Sequence, residues 1–232
     1  MRVCEIFRSL QGECQTVGAV TTFIRFSGCN LCCDYCDAVY ARSHAESAAM
    51  TVSAIMDRVG RLDPYPRHCC LTGGEPLLQP REELLQLFSS LMGFPSHPTV
   101  SIETNGACPV DWVLDARKKN SWRIDLVVDY KVPSSGMNEH MIGGNYRDLQ
   151  PTDTLKFVCR NEDDVLASVS MLRSLLGVHT CRPTVYFHVV GGKPARWLSE
   201  FLLGDEHGLT RRFDLRFGVQ LHKLIWGSER GR

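Results

Sequence analysis

The sequence predicts an α/β fold built on a parallel sheet, and two observations support this prediction. Short runs rich in β-branched residues alternate with stretches of helical periodicity along the 232 residues. Polar and glycine-rich motifs directly follow several of these runs, where parallel β/α architectures bind their ligands. Such alternation is typical of β/α units, in which a helix returns the chain to a neighbouring parallel strand.

Seven runs are candidate strands, and helices are expected between them. The strands are expected at residues 22–27, 68–72, 99–103, 124–130, 154–158, 184–189 and 213–219. A helix starts near Arg81, and Asn161 is a suitable N-cap for another. Pro194 suits the first turn of a third helix, where its missing N–H is not needed. Apolar faces comprise Leu84, Leu87, Phe88 and Leu91 in the first helix and Val165, Val169, Leu172 and Leu176 in the second.

Composition limits the classes of protein to which the chain can belong. With 44% hydrophobic residues, residues 1–232 can bury the core of a single domain. The net charge is zero, so stable binding to nucleic acid is not expected. Neither a membrane-spanning apolar run nor an apolar signal region is present, which predicts a cytoplasmic protein without a membrane partner.

Eleven cysteines in such a chain indicate metal or cluster chemistry rather than disulfides. Four of them lie in the run Cys29-Asn-Leu-Cys-Cys33-Asp-Tyr-Cys36, which follows a predicted strand. The remaining seven are expected to be small buried hydrophobic residues. These are Cys4, Cys14, Cys69, Cys70, Cys108, Cys159 and Cys181.

The spacing C-x3-C-x2-C places three thiolates on one short loop. Three ligands leave one iron of a four-iron cluster open to a small molecule. Because Cys32 and Cys33 are adjacent, the register Cys29, Cys32 and Cys36 is an alternative. A zinc site completed by His44 and a set of free thiols are two further alternatives.

Three motifs end predicted strands and are candidate ligand contacts. Gly73-Gly74-Glu75 lets polar ligand groups approach the backbone, and Glu75 could pair with an ammonium group. Glu103 could hold two vicinal hydroxyls, and Lys131 could neutralise a carboxylate. Each motif has a simpler alternative: a tight turn, a turn carboxylate and a solvated lysine, respectively.

Polar residues outside those motifs are further candidates. Gln11 and Glu13, on a glycine-containing turn, could read the amide and amino edge of a heterocycle; an edge strand and turn is the alternative. Arg25 stands in an apolar strand and needs an anionic partner, either a substrate carboxylate or a structural aspartate. His222 could donate to a ligand or be purely structural.

Together these residues make the chain resemble the radical S-adenosylmethionine (SAM) superfamily. The C-x3-C-x2-C run and the Gly-Gly-Glu-Pro motif carry this resemblance. Within this superfamily, residues 5 to about 226 closely resemble the 7-carboxy-7-deazaguanine synthases of queuosine (7-deazapurine) biosynthesis. The similar segments are residues 5–13, 23–30, 36–37, 103–106, 129–136 and 220–223. The resemblance implies a modified, incomplete (β/α)6 barrel that acts as a homodimer.

The implied activity is that of a lyase. It converts 6-carboxy-5,6,7,8-tetrahydropterin to 7-carboxy-7-deazaguanine by radical ring contraction with loss of ammonia. The implied cofactors are a [4Fe–4S] cluster, SAM and Mg²⁺, and the implied electron donor is of the flavodoxin type. A turn at about residues 5–14 would bind the substrate, and a segment at about residues 213–232 would cap it.

The resemblance also assigns roles to individual residues. Cys29, Cys33 and Cys36 would hold the cluster, with Cys32 between them. The substrate contacts would be Leu10, Gln11, Gly12, Glu13, Arg25, Thr72 and His222. The SAM contacts would be Gly73, Gly74, Glu75, Glu103, Asp129, Tyr130 and Lys131.

The chain departs from the family pattern at the magnesium position. A Thr or Ser hydroxyl binds the ion there in the family, but here the motif is Cys36-Asp37-Ala38. Asp37 is the remaining candidate ligand, and we expect magnesium to bind chiefly through the substrate. Two alternative functions are considered: an activase that generates a glycyl radical on a partner protein, and a zinc-stabilised binding module.

Overall fold

The computed structural model describes residues 1–177, 182–192 and 195–231. Nine strands in these residues form one sheet in the order β3-β1-β2-β4-β5-β6-β7-β8-β9. They are β1 (Arg2–Leu10), β2 (Val20–Phe26), β3 (Ala48–Ala49), β4 (His68–Gly73), β5 (Thr99–Thr104), β6 (Ile124–Tyr130), β7 (Thr154–Cys159), β8 (Thr184–Val189) and β9 (Leu215–Phe217). All seven predicted strands are confirmed, and the last is shorter than predicted.

Strand direction divides the sheet into two parts. From β2 through β9 each neighbouring pair is parallel, as the alternating sequence pattern predicts. At the other end β1 is antiparallel to β2, and β3 is antiparallel to β1. Since β3 and β9 are different edges, the sheet is open, which agrees with the expected incomplete barrel.

Six α-helices accompany the strands in the described residues. They are α1 (Val52–Leu62), α2 (Arg81–Met92), α3 (Asp111–Asn120), α4 (Glu162–Ser174), α5 (Arg196–Gly204) and α6 (Leu221–Trp226). The predicted start at Arg81 is confirmed, and so is the Asn161 cap, whose Oδ1 accepts from the Asp164 N–H at 3.1 Å. Pro194, predicted in the first turn of a helix, lies outside the described residues. None of the described helices is long and apolar enough to cross a membrane.

One connection differs from the expected β/α unit. Between β6 and β7 the chain forms three short 3-10 turns instead of an α-helix. Pro133, Gly136, Pro151 and the pair Gly143-Gly144 interrupt helical periodicity in this segment.

Alternation along the strands separates an apolar face from a polar one. The apolar face packs against the helices, as Ile24, Leu71 and Leu155 show by being fully buried in the main core. The opposite face carries Arg25, Thr72, Glu103, Asp129, Lys156 and His188, all of which line one cavity. The sheet therefore turns its polar residues towards a common space.

Candidate functional site

The cavity has a volume of about 350 Å³ and lies at the carboxyl ends of the parallel strands. Its wall includes residues that follow β2, β4, β5 and β6, as well as the turn after β1. This volume is within the usual range of small-molecule sites. The motifs that the sequence places at separate strand ends are thus brought together.

Cys29, Cys33 and Cys36 all line this cavity. Cys32 is exposed and points away, with its Sγ 3.9 Å from Met137 Sδ. The Sγ atoms of the three lining cysteines do not all lie within 4.8 Å of one another, so they are not gathered around a single ion. This arrangement fits a cluster better than zinc, and it supports the register that omits Cys32.

The surroundings of the cysteine loop suit thiolate ligands. Asn105 Nδ2 lies 3.6 Å from Cys29 Sγ and can donate to it. The Arg42 guanidinium donates to the Cys33 carbonyl. His44, the alternative zinc ligand, instead has its Nδ1 2.8 Å from Ser27 Oγ. A hydrogen-bond donor and a positive charge therefore lie beside the loop and favour thiolates, against the burial that raises the pKa of the Cys29 and Cys33 thiols.

The glycine pair at the end of β4 allows this strand to pack against the cysteine loop. A side chain at Gly74 would come within 2.2 Å of the Gly28 carbonyl oxygen, and Gly73 has a φ of +129°. The Glu75 N–H donates to that same Gly28 oxygen at 2.8 Å. Both glycines line the cavity, where their backbone groups remain accessible to a ligand.

Glu75 does not line the cavity, and its expected contact with SAM stays a prediction. Its side chain is fully buried. Its oxygens accept from the Leu77 N–H at 2.9 Å, the Thr104 hydroxyl at 2.9 Å and the Asn105 N–H at 2.7 Å. Burial raises the pKa of this carboxyl to about 7, against those hydrogen bonds. Glu75 thus links the turn that follows β4 to the turn that follows β5.

Tyr130 does not line the cavity either, and its expected contact with SAM also stays a prediction. Its ring packs edge-on against Tyr146 and Phe157, at centroid distances of 5.6 and 5.7 Å. Asp129 and Lys131, on either side in sequence, do line the cavity. Alternation along the strand explains the difference, since neighbouring side chains point to opposite faces.

Four charged groups form a network across the cavity. Lys156 Nζ lies 3.0 Å from Glu13 Oε2 and 3.1 Å from Asp129 Oδ1. Lys131 pairs with the other oxygen of Asp129. Each charge therefore has an opposite partner in a site that excludes much of the water.

This network determines the ionisation of its members. Burial favours the neutral acids, but Lys156 and the Gln220 hydrogen bond hold the pKa of Glu13 well below its usual range. Asp129 also keeps a lowered pKa despite its burial, because Lys131 and Lys156 are close. Burial acts to lower the pKa of Lys156, but its two carboxylate neighbours raise it well above the usual value. All members are charged at neutral pH.

Gln11, Thr72 and Glu103 form a second polar group. Gln11 Nε2 lies 3.1 Å from Glu103 Oε1, and the Thr72 hydroxyl lies 2.7 Å from Glu103 Oε2. The Gln11 amide oxygen accepts from the Gly12 N–H at 2.7 Å. The three predicted residues do line one wall, where the protein already supplies partners for their polar atoms.

Arg25 lies on an aromatic part of the wall. Its guanidinium lies 5.4 Å from the centroid of the Phe7 ring, and Phe7 stacks on Phe23 at 4.9 Å. Its structural anionic neighbour is Glu5, 3.2 Å away, rather than an aspartate. Leu10 also lines the cavity, so a flat ring would find apolar contacts beside a cation.

The turn after β1 meets the segment that begins α6. Gly12 packs so tightly on His222 that a side chain there would lie 2.1 Å from Nδ1. Burial lowers the pKa of His222, so its imidazole is neutral at pH 7.

Asp37 pairs with Lys223 at 2.9 Å. Ala38 lines the cavity and has no side-chain oxygen, so these side chains do not form a magnesium site by themselves.

Lys156 and His188 are site residues that the sequence analysis missed. His188 is 1% exposed, its Nδ1 has no hydrogen-bond partner, and burial lowers its pKa. The available signal is weak: each is one polar residue within an apolar strand, as Arg25 is.

Of the seven other cysteines, Cys4 is half-buried rather than buried, and Cys181 lies outside the described residues.

Comparison with known proteins adds independent findings. The sequence model of the Radical SAM superfamily matches residues 23–130 of this chain. The 7-carboxy-7-deazaguanine synthase of Methanospirillum hungatei is 35% identical over 227 residues, which cover 97% of this chain and 85% of that protein. The synthase of Chlorobaculum tepidum is 35% identical over 233 residues, which cover 99% of this chain and 96% of that protein.

A solved structure is similar as well. The crystal structure of QueE from Escherichia coli superposes with a TM-score of 0.67, covering 93% of this chain and 92% of that one. Its sequence is 19% identical, so this likeness supports the fold.

Proposed function

The chain belongs to the 7-carboxy-7-deazaguanine synthase family of radical SAM enzymes, and we propose that it performs this family's ring contraction. The substrate is 6-carboxy-5,6,7,8-tetrahydropterin, and the products are 7-carboxy-7-deazaguanine and ammonia. The reaction belongs to queuosine biosynthesis and makes the chain a lyase.

One observation supports this proposal most strongly. Three cysteines with the radical SAM spacing face a single cavity that also presents Arg25, Gln11 and His222. The other two functions considered are not favoured. The curated relatives bear the synthase name, and the three thiols are not gathered around one ion as a zinc module requires.

The residues that would hold the cluster are Cys29, Cys33 and Cys36. When bound, the cluster and SAM would supply the radical chemistry that the ring contraction requires. Asn105 and Arg42 would orient the thiolates and stabilise their charge.

The wall of the cavity divides into two proposed ligand regions. Gly73, Gly74, Glu103, Asp129 and Lys131 would contact SAM, with Glu75 bracing the turn behind them. The pterin would lie against the turn after β1, with Arg25 facing its carboxylate. Its further contacts would be Leu10, Gln11, Gly12, Glu13, Thr72 and His222.

The charged network gives these regions a fixed arrangement. Glu13 stays ionised beside Lys156, so it can accept hydrogen bonds from the amino and ring N–H groups of a pterin. His222, neutral and packed on Gly12, can donate one hydrogen bond and accept another. A prearranged site of this kind orients the substrate without reorganisation.

The decisive experiment is anaerobic reconstitution with iron and sulfide, followed by incubation with SAM, dithionite and 6-carboxytetrahydropterin. Mass spectrometry would follow 5′-deoxyadenosine and 7-carboxy-7-deazaguanine. We expect both products. Deoxyadenosine without the deazaguanine would contradict the proposed substrate, and a colourless zinc protein without activity would contradict the enzyme class.

Magnesium dependence is a separate prediction. We expect the metal to bind chiefly through the substrate, because Ala38 lacks a side-chain oxygen and Asp37 is paired with Lys223. Activity should therefore fall in EDTA and return with magnesium, and Ala38→Thr should lower the magnesium concentration required. Equal activity of the unaltered enzyme in EDTA and in magnesium would contradict this expectation.

The proposed partners follow from the family. The electron donor is a flavodoxin-type protein, which reconstituted assays with flavodoxin in place of dithionite would test. The assembly is a homodimer, which light scattering would test. The cluster thiols and the many other free cysteines suit a reducing, cytoplasmic compartment.

A further inference from the structure

We propose that Arg230 is the second guanidinium of a carboxylate-binding pair, with Arg25 as the first. The proposal rests on the proposed function and adds a specificity-determining residue to it. Arg230 belongs to the segment that follows α6, and its role would be to help select a pterin that carries a carboxylate.

The segment of residues 227–231 forms part of the cavity wall, and Arg230 faces the same space as Arg25. The Arg230 guanidinium lies 3.6 Å from the centroid of the Tyr40 ring, close enough for a cation–π contact. The Arg25 guanidinium lies 5.9 Å from the same centroid. Both cations therefore lie within cation–π range of one aromatic ring.

Glu5 lies behind both cations. Its Oε1 is 3.2 Å from Arg25 Nε, 3.8 Å from Arg230 Nη2 and 2.9 Å from the Tyr40 hydroxyl, which donates to it. Glu5 does not line the cavity, whereas both arginines do. Glu5 thus holds both guanidinium groups from outside the cavity, and Glu46 is a second carboxylate beside Arg230.

The other cations of the cavity are already neutralised within it. Lys131 pairs with Asp129, Lys156 with Glu13 and Asp129, and Lys223 with Asp37. Arg230 has one further partner, Glu46, at 2.8 Å, but these side chains are 47% and 56% exposed. An exposed pair of this kind is weak, so it does not prevent Arg230 from binding an anion.

Paired guanidinium groups are suited to a carboxylate, because their planar N–H groups match its two oxygens. The nearby Phe7 and Phe23 rings supply an apolar wall for the heterocycle that carries it. The geometry therefore points to recognition of an aromatic carboxylic acid at this wall, and Arg230 would distinguish it from the same ring without the carboxylate.

The test compares two stable probes, 6-carboxypterin and pterin, which differ only by the carboxylate. Their affinities for the reconstituted, SAM-loaded enzyme would be measured by calorimetry for unaltered protein, Arg230→Gln, Arg230→Lys, Glu46→Gln and Arg196→Gln. Arg196 is a matched control, since its side chain is 89% exposed and pairs with Glu200 on α5. Glu46→Gln removes the surface partner but keeps the cation.

We expect Arg230→Gln to weaken 6-carboxypterin binding about tenfold or more, as loss of a charged hydrogen bond does, and to leave pterin binding within about twofold. Arg230→Lys should restore part of the loss. Glu46→Gln and Arg196→Gln should retain the discrimination. With 6-carboxytetrahydropterin, Arg230→Gln should raise KM more than it lowers kcat.

Equal losses for both probes would show that Arg230 only holds the segment in place, and no loss would show that it is a surface residue. Either result overturns the proposal. Turnover by the unaltered enzyme is measured separately, so failure of the proposed function would be seen as absent product, whatever the probes show.

Discussion

Lys156 connects two groups of the cavity that are distant in sequence. It joins Glu13, on the turn after β1, to Asp129, at the end of β6. Its side chain is only 12% exposed, and those of both carboxylates are 15% exposed. Removing Lys156 would leave the Glu13 carboxylate buried without its cation, whereas Asp129 would keep Lys131. A buried charge that loses its partner costs more than the intact pair contributes.

Lys156→Met is therefore expected to lower the free energy of unfolding by about 3–5 kcal/mol. Lys118→Met, on the exposed side of α3, should change it by less than about 0.5 kcal/mol. Urea unfolding under anaerobic conditions measures both. A small effect of Lys156→Met would show that water already solvates the two carboxylates.

Glu75 shows how a strand-end acid can support a site without contacting a ligand. We expect Glu75→Gln to destabilise the protein by about 1–3 kcal/mol, because an amide N–H would face backbone donors. SAM affinity per assembled cluster should stay within about twofold. Glu103→Gln, at a residue that lines the cavity, is the matched variant and should weaken SAM binding. A large loss of SAM affinity in Glu75→Gln would show that Glu75 contacts SAM directly.

The element that determines the chemistry is the loop after β2. It is supported from β4, where Gly74 and Glu75 donate to the carbonyls of Phe26 and Gly28 at 3.0 and 2.8 Å. It is also supported from β5, where the Asn105 amide reaches Cys29 and Asn30. Neighbouring parallel strands thus hold three cysteines towards the cavity and leave Cys32 outside.

This arrangement predicts different outcomes for adjacent cysteines. Cys32→Ser should retain the iron and sulfide content of the unaltered protein, whereas Cys33→Ser should lose its stable cluster. Metal analysis and the visible absorption spectrum of anaerobically reconstituted protein measure this. If Cys32→Ser loses the cluster and Cys33→Ser keeps it, the alternative register is correct.

At the scale of the whole molecule, the two ends of the chain close one side of the cavity. The Leu221 N–H donates to the Gly12 carbonyl at 2.9 Å, and Gln220 donates to Glu13. Beyond α6, residues 227–231 add to the wall, where Arg230 contacts Tyr40 and Glu46. The sheet is open at its edges, so these terminal segments contribute enclosure that the strands do not.

A chain shortened after Trp226 should therefore admit water and release radical intermediates. We expect the ratio of 5′-deoxyadenosine to 7-carboxy-7-deazaguanine to rise several-fold, with iron content unchanged. Quantifying both products over one time course gives this ratio. An unchanged ratio at full activity would show that the segment does not shield the reaction.

Much of the fold was predictable because its parallel strands are buried and strongly β-branched. The connection from β6 to β7 was not predicted correctly, since proline and glycine replace the expected helix with short turns. In the site, Arg25 was recognisable as a lone charge in an apolar strand. Lys156 and His188 give the same signal, but it becomes clear only when their strands are aligned in one sheet.

The sequence by itself determined the chemistry: the spacing of Cys29, Cys33 and Cys36, the glycines at the end of β4 and the positions of polar residues at strand ends. These are local properties, fixed by spacing and by the alternation of side chains along a strand. Only the tertiary structure decided which polar atoms remain free to meet a ligand. The Glu75 carboxylate already accepts hydrogen bonds from neighbouring turns, whereas Arg25 and Arg230, far apart in sequence, face one cavity. Such distinctions depend on packing between distant segments, which no local pattern encodes.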